Sequence, residues 1–172
     1  EIRAKQEAEK LNPGIYGKWA VSRNLTYEEI EENIRAGKPY VIRLKSAGKT
    51  DVPAEEMDTI TVEDAVRGPV TMPANNMDIV ILKATGIPTY HFAHVIDDHF
   101  MRTTHVVRGE EWLSSLPVHI ELFGVMGWEH PVYCHTAHLM KIGEEGTKRK
   151  LSKRKDPELS LDYYRRDGYY PP

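Results

Sequence analysis

Three groups of polar side chains stand where chemistry could occur. Arg108 ends the short apolar run HVVR, the segment TYHFAHVIDDH begins just after DIVILK, and the basic run KRKLSKRKDP occupies residues 148–157. An arginine at a strand end suits bidentate binding of a carboxylate. Alternatively, Arg108 could be a buried structural residue paired with Asp97 or Glu110. The residue types leave both interpretations open.

The basic run allows three interpretations: a solvated surface, a nucleic-acid patch or a phosphate-binding loop. Lys150 and Lys153 flank Leu151 and Ser152, so the two ammonium groups could converge while the leucine anchors the loop. Such a loop could neutralise the charge that develops as pyrophosphate leaves a nucleotide. No Walker A sequence is present, which argues against a P-loop kinase.

The histidines permit a metal-hydrolase hypothesis. His91, His94 and Asp98 are spaced i, i+3 and i+7, on one face of a predicted helix. A zinc site needs three or four donors in tetrahedral reach. The HExxH motif is absent and Cys134 is the single cysteine, so the pattern favours a polar helix face. The metal hydrolase is the weaker alternative.

The composition narrows the class of protein. The chain has 172 residues, is 40% hydrophobic and 28% charged, and has a net charge of -3. These values are ordinary for a soluble globular protein and exclude binding of nucleic acid by overall charge. A single cysteine excludes an internal disulfide and fits a reducing cytoplasm. No apolar run approaches ~20 residues, so we expect a cytoplasmic protein without a membrane span.

The first 77 residues predict a small α+β unit. Residues 1–11 have helical composition, and a capping box formed by Thr26 and Glu29 begins a second helix that carries Ile30 and Ile34 on one face. The segments PYVIRLK, DTITVED and GPVTM read as strands.

Residues 78–143 predict a different architecture. DIVILK indicates a strand buried on both faces, followed by a helix over 89–101, the strand HVVRG, helices around Pro117 and the strand PVYCH. This alternation is typical of a doubly wound α/β fold with an incomplete parallel sheet, in which ligands bind at the carboxyl ends of the strands. Residues 144–172 hold the basic run, read as a loop from Lys148, and a short helix, SLDYYRRDG.

Several motifs together resemble one family. KLSKR, residues 150–154, resembles the KMSKS signature of class I aminoacyl-tRNA synthetases in the form common among glutamyl-tRNA synthetases. GIPTYHFAHVIDDHFMRTTHVVRGEEWLSSLP is similar to the bacterial-type block G-x-P-T-Y, V-x-D-D-H and H-V-x-R-G-E-E, and AGKPYVIRLK and DAVRGPV to its inserted domain. The His-Ile-Gly-His motif and the anticodon-binding domain of the family are not in this sequence. We therefore expect a central fragment that is inactive by itself.

The resemblance implies a fold, an activity and partners. The fold would be a Rossmann-like catalytic domain with an α+β insertion: residues 1–77 the acceptor-binding insertion, 78–143 the second half of the nucleotide-binding fold, and 144–172 the KLSKR loop and the start of the stem-contact region. The activity would be the joining of glutamate to tRNA(Glu) through glutamyl-adenylate, using ATP with Mg²⁺. The protein would be a monomer. NPGIYGKWAVSRN has no cysteine where many bacterial members carry a zinc site, so we expect no zinc.

The resemblance also implies roles for individual residues. Arg108 would bind the side-chain carboxylate of glutamate. The pocket around it would be lined by Tyr90, His91, Phe92, Ala93 and His94, although Tyr90 and His91 could instead be packed helix residues. The ATP site would comprise Glu111, Met140, Lys150, Leu151, Ser152, Lys153 and Arg154. Lys153 would be the main phosphate contact, and Lys150 and Lys153 the catalytic residues.

Two other functions stay open. One is an acceptor-stem binding module without catalysis, in which Tyr16, Trp19, Arg23 and Arg43 contact RNA by stacking or through phosphates. The other is an enzyme similar to glutamyl-queuosine tRNA synthetase, against which the intact KLSKR and RGEEWL segments argue.

Overall fold

The computed structural model describes residues 1–9, 11, 13–50, 52, 54–142, 146–152 and 154–166. Its helices are α1 (Ile2–Ala8), α2 (Tyr27–Arg35), α3 (Tyr90–Phe100), α4 (Leu116–Val125) and α5 (Leu161–Arg166). Its strands are β1 (Ile42–Arg43), β2 (Thr59–Asp64), β3 (Gly68–Pro73), β4 (Val80–Leu82), β5 (His105–Gly109), β6 (Val132–Thr136), β7 (Met140–Ile142) and β8 (Lys148–Lys150). None of the helices in these described ranges is long and apolar enough to cross a membrane.

The largest sheet has four strands in the order β3-β2-β6-β5. Strands β2 and β5 both run parallel to β6, and β3 pairs antiparallel with β2 as a hairpin. Because parallel strands end at the same edge, the carboxyl ends of β2, β5 and β6 lie together. The register makes Arg108 the partner of His135, and Asp64 the partner of Tyr133. A mixed α/β fold with parallel strands is confirmed.

The partner of the apolar run DIVILK was predicted wrongly. Strand β4 pairs antiparallel with β1 through Ile42 and Leu82, outside the parallel sheet, and is only partly buried. Ile79 and Ile81 pack against a cluster formed by Leu44, Val95, Leu122 and Phe123, which accounts for the apolar composition. An apolar run predicts burial but does not choose between neighbouring strands. The predicted strand PYVIRLK is reduced to the two residues of β1.

Helix α4 is apolar almost all round because it packs on two sides. Leu122 and Phe123 belong to the cluster beside α3, while Leu116 packs with Val62 and Tyr133 of the sheet.

The four-stranded sheet contains strands from both sides of residue 77. The division there into an acceptor-binding part and a catalytic part stays a prediction.

Two predictions made from local sequence patterns are confirmed by the structure, and a third is wrong. The Thr26–Glu29 capping box forms both of its hydrogen bonds and begins α2. Helix α3 spans Tyr90–Phe100, within one residue of the predicted limits. Lys148–Lys150, predicted to begin a loop, instead forms β8 and pairs antiparallel with Met140–Ile142.

Candidate active site at the carboxyl ends of the parallel strands

Arg108 lies one residue before the end of β5 and is held by two histidines. Its Nε donates to Nε2 of His135 at 2.9 Å, and its Nη1 lies 3.2 Å from Nδ1 of His119. The guanidinium carbon lies 4.8 Å from the centroid of the Tyr133 ring. Nη2 is buried and has no hydrogen-bond partner among the residues that the structure describes. The two neighbouring contacts therefore fix the orientation of the guanidinium, while Nη2 makes no hydrogen bond to the described residues.

Among the described residues, no carboxylate forms a hydrogen bond or an ion pair with Arg108. Arginine only donates hydrogen bonds, so His119 and His135 must present lone pairs to it, and both imidazoles are neutral. Burial, together with the nearby His94 and Arg108, lowers the pKa of His119 to about 2. The alternative in which Arg108 pairs with Asp97 or Glu110 is wrong: Glu110 binds Arg67 instead, and no hydrogen bond or ion pair joins Asp97 to Arg108.

The buried carboxylate of Asp64 binds His135 on the side of the imidazole that faces away from Arg108. Nδ1 of His135 donates to Oδ2 of Asp64 at 2.6 Å, and both side chains are fully buried. Oδ1 of Asp64 also accepts the backbone N–H groups of Val66 and Arg67, at 2.9 Å and 3.0 Å, which closes the turn between β2 and β3. Burial raises the pKa of Asp64, but its hydrogen bonds outweigh that effect and hold the pKa below its usual range.

The sequence interpretation missed Asp64, His119 and His135. Asp64 comes directly before a three-residue turn, residues 65–67, which leads to Gly68 with φ +73°, and that pattern predicts a turn rather than a partner for His135. His119 lies inside the largely apolar segment LPVHIELF, where a polar side chain that is buried needs buried partners. This second pattern could have singled out His119.

Helix α3 brings three of the five predicted pocket residues next to Arg108. The helix starts at Tyr90, where the hydroxyl of Thr89 donates to the carbonyl of Val80 at 2.8 Å and ties the helix to β4. The ring of Tyr90 lies 4.8 Å from Trp112 and 5.9 Å from His94, nearly parallel to the latter.

The histidines of α3 contact the same network. Nδ1 of His91 lies 3.0 Å from Nε2 of His119, and Nε2 of His94 lies 3.3 Å from the hydroxyl of Tyr133. Burial lowers the pKa of both His91 and His94, which favours their neutral forms. Phe92 faces the cluster beside α4, and the backbone N–H of Ala93 bonds to the carbonyl of Thr89.

The metal-hydrolase alternative gains no support from this geometry. In the described part of the chain, no group of three or more His, Cys, Asp or Glu side chains could hold a metal ion. His91 is directed to His119, whereas His94 lies between Tyr133 and Asp98.

The basic segment forms one strand of a hairpin and then a tied loop. Met140 pairs with Lys150 across β7 and β8, and Nζ of Lys150 lies 3.6 Å from Oε1 of Glu111 and 3.2 Å from Nε2 of His138. Three predicted ATP-site residues, Glu111, Met140 and Lys150, are thus brought together.

The rest of the segment is held by its own backbone and by Asp156. The N–H of Leu151 donates to the carbonyl of Leu139 at 2.9 Å, and that of Ser152 to Asp156 at 2.9 Å. Arg154 is exposed, and Lys153 lies outside the described residues.

The side chains proposed for RNA stacking are largely engaged within the fold. Tyr16 is buried, Arg23 forms an ion pair with the buried Asp78, and Arg43 donates to the carbonyl of Asp78 at 2.8 Å. The ammonium of Lys18 lies over the ring of Trp19. These contacts pack Tyr16 and Arg23 into the first part of the chain around Asp78, whereas Arg43 stays exposed. RNA binding by these side chains stays a prediction.

These elements define an α/β domain: a mixed sheet whose parallel strands end at a partly buried arginine, beside a hairpin that carries lysines. Residues 1–172 match the family described as "tRNA synthetases class I (E and Q), catalytic domain". The chain belongs to this family, which confirms the resemblance drawn from KLSKR and the segments before it.

Relatives and solved structures agree with the family. The chain is 61% identical to a glutamate–tRNA ligase of Acetivibrio thermocellus over 171 residues, and 52% identical to one of Clostridium perfringens over 168 residues. These alignments cover 99% and 98% of the chain but 30% of each relative. A crystal structure of a glutamate tRNA ligase from Elizabethkingia meningosepticum, in complex with its amino acid, matches 93% of the chain and 31% of that structure, with a TM-score of 0.71 and 37% identity.

Proposed function

We propose that this chain is part of a glutamate–tRNA ligase, which activates glutamate with ATP and transfers the glutamyl group to tRNA. The names of its relatives support this assignment, although the chain spans about 30% of their length. The observation that carries the proposal is the state of Arg108: a partly buried guanidinium at a strand end, held by neutral acceptors, whose Nη2 is buried without a hydrogen-bond partner in the described part of the chain.

A carboxylate ligand would resolve both unusual features of Arg108. It would supply the missing hydrogen-bond acceptor for Nη2 and a negative charge in direct contact with the guanidinium. A neutral amide in the same place would leave the cation without a directly paired anion in a partly dry site, so the pocket should prefer glutamate to glutamine. In this proposal Tyr90, His91, Phe92, Ala93 and His94 line the glutamate pocket around Arg108.

The ATP site in this proposal comprises Glu111, Met140, Lys150, Leu151, Ser152, Lys153 and Arg154. The α-carboxylate of glutamate attacks the α-phosphorus of ATP in line. A new oxygen–phosphorus bond forms, and the bond to the bridging oxygen breaks as pyrophosphate leaves. No protein nucleophile is needed, because positioning and charge neutralisation lower the barrier. Lys150 and Lys153 neutralise the departing phosphates, and Mg²⁺ enters bound to ATP.

In the second step, a hydroxyl of the terminal ribose of tRNA(Glu) attacks the glutamyl carbonyl and AMP leaves. Residues 1–77 are proposed to bind the acceptor stem, residues 78–143 to form half of the catalytic fold, and residues 144–172 to lead into the stem-contact region. We further propose that the protein acts as a cytoplasmic monomer and binds no zinc.

A chimaeric ligase tests the proposal. We define it as the Acetivibrio thermocellus ligase in which residues 1–172 of this chain replace the matching segment. We expect it to charge tRNA(Glu) with glutamate and to exchange pyrophosphate into ATP when glutamate is present. Arg108→Gln should abolish both activities, whereas Arg35→Ala, at an exposed arginine of α2, should leave them intact.

Two results would contradict the proposal. One is a folded chimaera that charges no tRNA. The other is an Arg108→Gln variant with unchanged KM for glutamate, which would remove Arg108 from the pocket. Lys153→Ala, compared with Lys155→Ala in the same loop, tests the phosphate contact separately: only the first should slow pyrophosphate exchange.

A further inference from the structure

Asp64, His135 and Arg108 form a chain of hydrogen bonds across three neighbouring strands. Oδ2 of Asp64 accepts from Nδ1 of His135 at 2.6 Å, and Nε2 of His135 accepts from Nε of Arg108 at 2.9 Å. The register places Arg108 directly beside His135, so the contact follows from the parallel pairing of β5 and β6. All side-chain atoms of Asp64 and His135 are shielded from solvent.

We infer that Asp64 and His135 are positioning residues, which fix the direction of the Arg108 guanidinium by fixing the tautomer of His135. This inference rests on the proposed role of Arg108 in binding glutamate. The ionised carboxylate of Asp64 holds the proton of His135 on Nδ1, and Nε2 is then left as a lone pair that accepts from Arg108. In the opposite tautomer, Nε2–H would face Nε–H, and two donors would repel each other.

Replacing Oδ2 of Asp64 by an NH₂ group should be enough to change the tautomer of His135. Oδ1 already accepts the backbone N–H groups of Val66 and Arg67. In Asp64→Asn the amide oxygen must keep those two bonds, so the NH₂ group faces Nδ1 of His135. The proton of His135 then moves to Nε2, and Arg108 loses this acceptor. The backbone N–H of His135, which lies 3.2 Å from Oδ1 and 3.1 Å from Oδ2, keeps Oδ1 as its acceptor.

His119 provides the second fixed point of the guanidinium. Its Nδ1 lies 3.2 Å from Nη1 of Arg108, and its Nε2 lies 3.0 Å from Nδ1 of His91. Two acceptors on different elements, one on β6 and one on α4, fix the plane of the guanidinium. The remaining nitrogen, Nη2, is left for a ligand. Loss of either acceptor should therefore weaken glutamate binding more than ATP binding.

The kinetic test uses the chimaeric ligase. We expect Asp64→Asn to raise the KM for glutamate roughly 10-fold or more, the size usual for groups that orient a binding side chain, while the KM for ATP changes less than about twofold. His135→Gln should have a small effect, because its amide oxygen can accept from Arg108, whereas His135→Leu should behave like Asp64→Asn. The double variant Asp64→Asn/His135→Gln should recover most of the affinity for glutamate, because glutamine has no tautomer to lose.

A purely structural role for Asp64 predicts other results. The two KM values would then move together, or stay unchanged while stability to urea falls, and glutamine at position 135 would give no recovery. Either result would overturn the inference.

Nitrogen chemical shifts of ¹⁵N-labelled histidine, assigned by comparison with His135→Gln, test the tautomer without any substrate. We expect His135 to carry its proton on Nδ1 in the unmodified protein and on Nε2 in Asp64→Asn. A proton on Nε2 of His135 in the unmodified protein would contradict the inference. Because this readout needs no glutamate, it separates failure of the tautomer mechanism from failure of the proposed function.

Discussion

Arg149 and Asp156 close the two ends of the KLSKR segment with a pair of parallel hydrogen bonds. Nη1 of Arg149 donates to Oδ2 of Asp156 at 2.7 Å, and Nη2 donates to Oδ1 at 2.6 Å. The side chain of Asp156 is 1% exposed and also accepts the N–H of Ser152. Exposed ion pairs usually contribute little, but this bidentate pair with a buried acid is geometrically fixed.

Asp156→Asn should loosen the phosphate loop. The amide offers one acceptor oxygen where the carboxylate offers two. Its NH₂ group faces Arg149 in either orientation, and in one of them it also faces the N–H of Ser152. We expect the KM for ATP of the chimaeric ligase to rise several-fold, roughly 3- to 10-fold, with little change in the KM for glutamate. Glu158→Gln is the matched control, since its partner Lys141 lies outside the loop. Equal effects of the two substitutions would argue against a role of Asp156 in the loop.

Gly109 leaves room for the carboxylate of Glu111. A Cβ at this glycine would overlap Oε2 of Glu111, while the backbone φ of -72° suits any residue. Gly109→Ala should therefore displace Glu111 from Lys150 with little loss of stability, and pyrophosphate exchange should slow. Gly124→Ala in α4, where a Cβ meets nothing within 4 Å, should keep full activity and gain up to about 1 kcal/mol from helix propensity. Matching losses of activity in both variants would contradict this account.

Structural features that depend on neighbouring residues, such as helix starts, could be predicted from the sequence. Features that depend on the pairing of distant segments, such as strand partners, could not. The capping box of Thr26 and Glu29 is local, so its pattern fixed the start of α2. The apolar run of β4 predicted burial, but its pairing with β1 depends on distant residues. Val80 pairs with Arg43, 37 positions away, and Leu82 pairs with Ile42, 40 positions away.

The same distinction applies to the candidate site. Arg108 at a strand end carries its own chemical signal, whereas Asp64 and His135 are 71 residues apart and meet only because β2 and β6 are neighbours in the sheet. Each of the two looks ordinary alone: one closes a turn and the other follows an apolar strand. Their hydrogen bond appears only once the strand order is known.

Glu121 on α4 joins segments from the first half of the chain. Its carboxylate accepts the N–H of Ala47 at 2.7 Å and the side-chain amide of Asn75 at 2.6 Å. Glu121→Ala would leave these donors without their acceptor, so we expect a loss of roughly 2–4 kcal/mol in the free energy of unfolding, measured by urea titration. Glu129→Ala, at an exposed position just after α4, should change it by less than about 0.5 kcal/mol. A loss below about 1 kcal/mol at Glu121 would show that water replaces the carboxylate.

Acid should destabilise the fold through His119 before the carboxylates titrate. The pKa of His119 is about 2 in the folded state because of burial, against an ordinary value of 6.5. Below pH 6.5 the unfolded chain therefore binds a proton that the folded chain does not, and stability falls as the pH falls. The expected loss from this residue is about 2 kcal/mol between pH 7 and pH 5.

Urea unfolding of the 172-residue chain at several pH values measures this dependence. His119→Gln keeps an acceptor for Arg108 but cannot be protonated in this range, so the slope of the unfolding free energy against pH should decrease. His91 and His94, whose pKa values are also lowered by burial, should retain part of the slope. His105→Gln, at an exposed histidine of β5, is the control and should leave the slope unchanged. An unaltered slope in His119→Gln would mean that His119 accepts a proton in the folded protein, and that it therefore cannot be the neutral acceptor that holds Arg108.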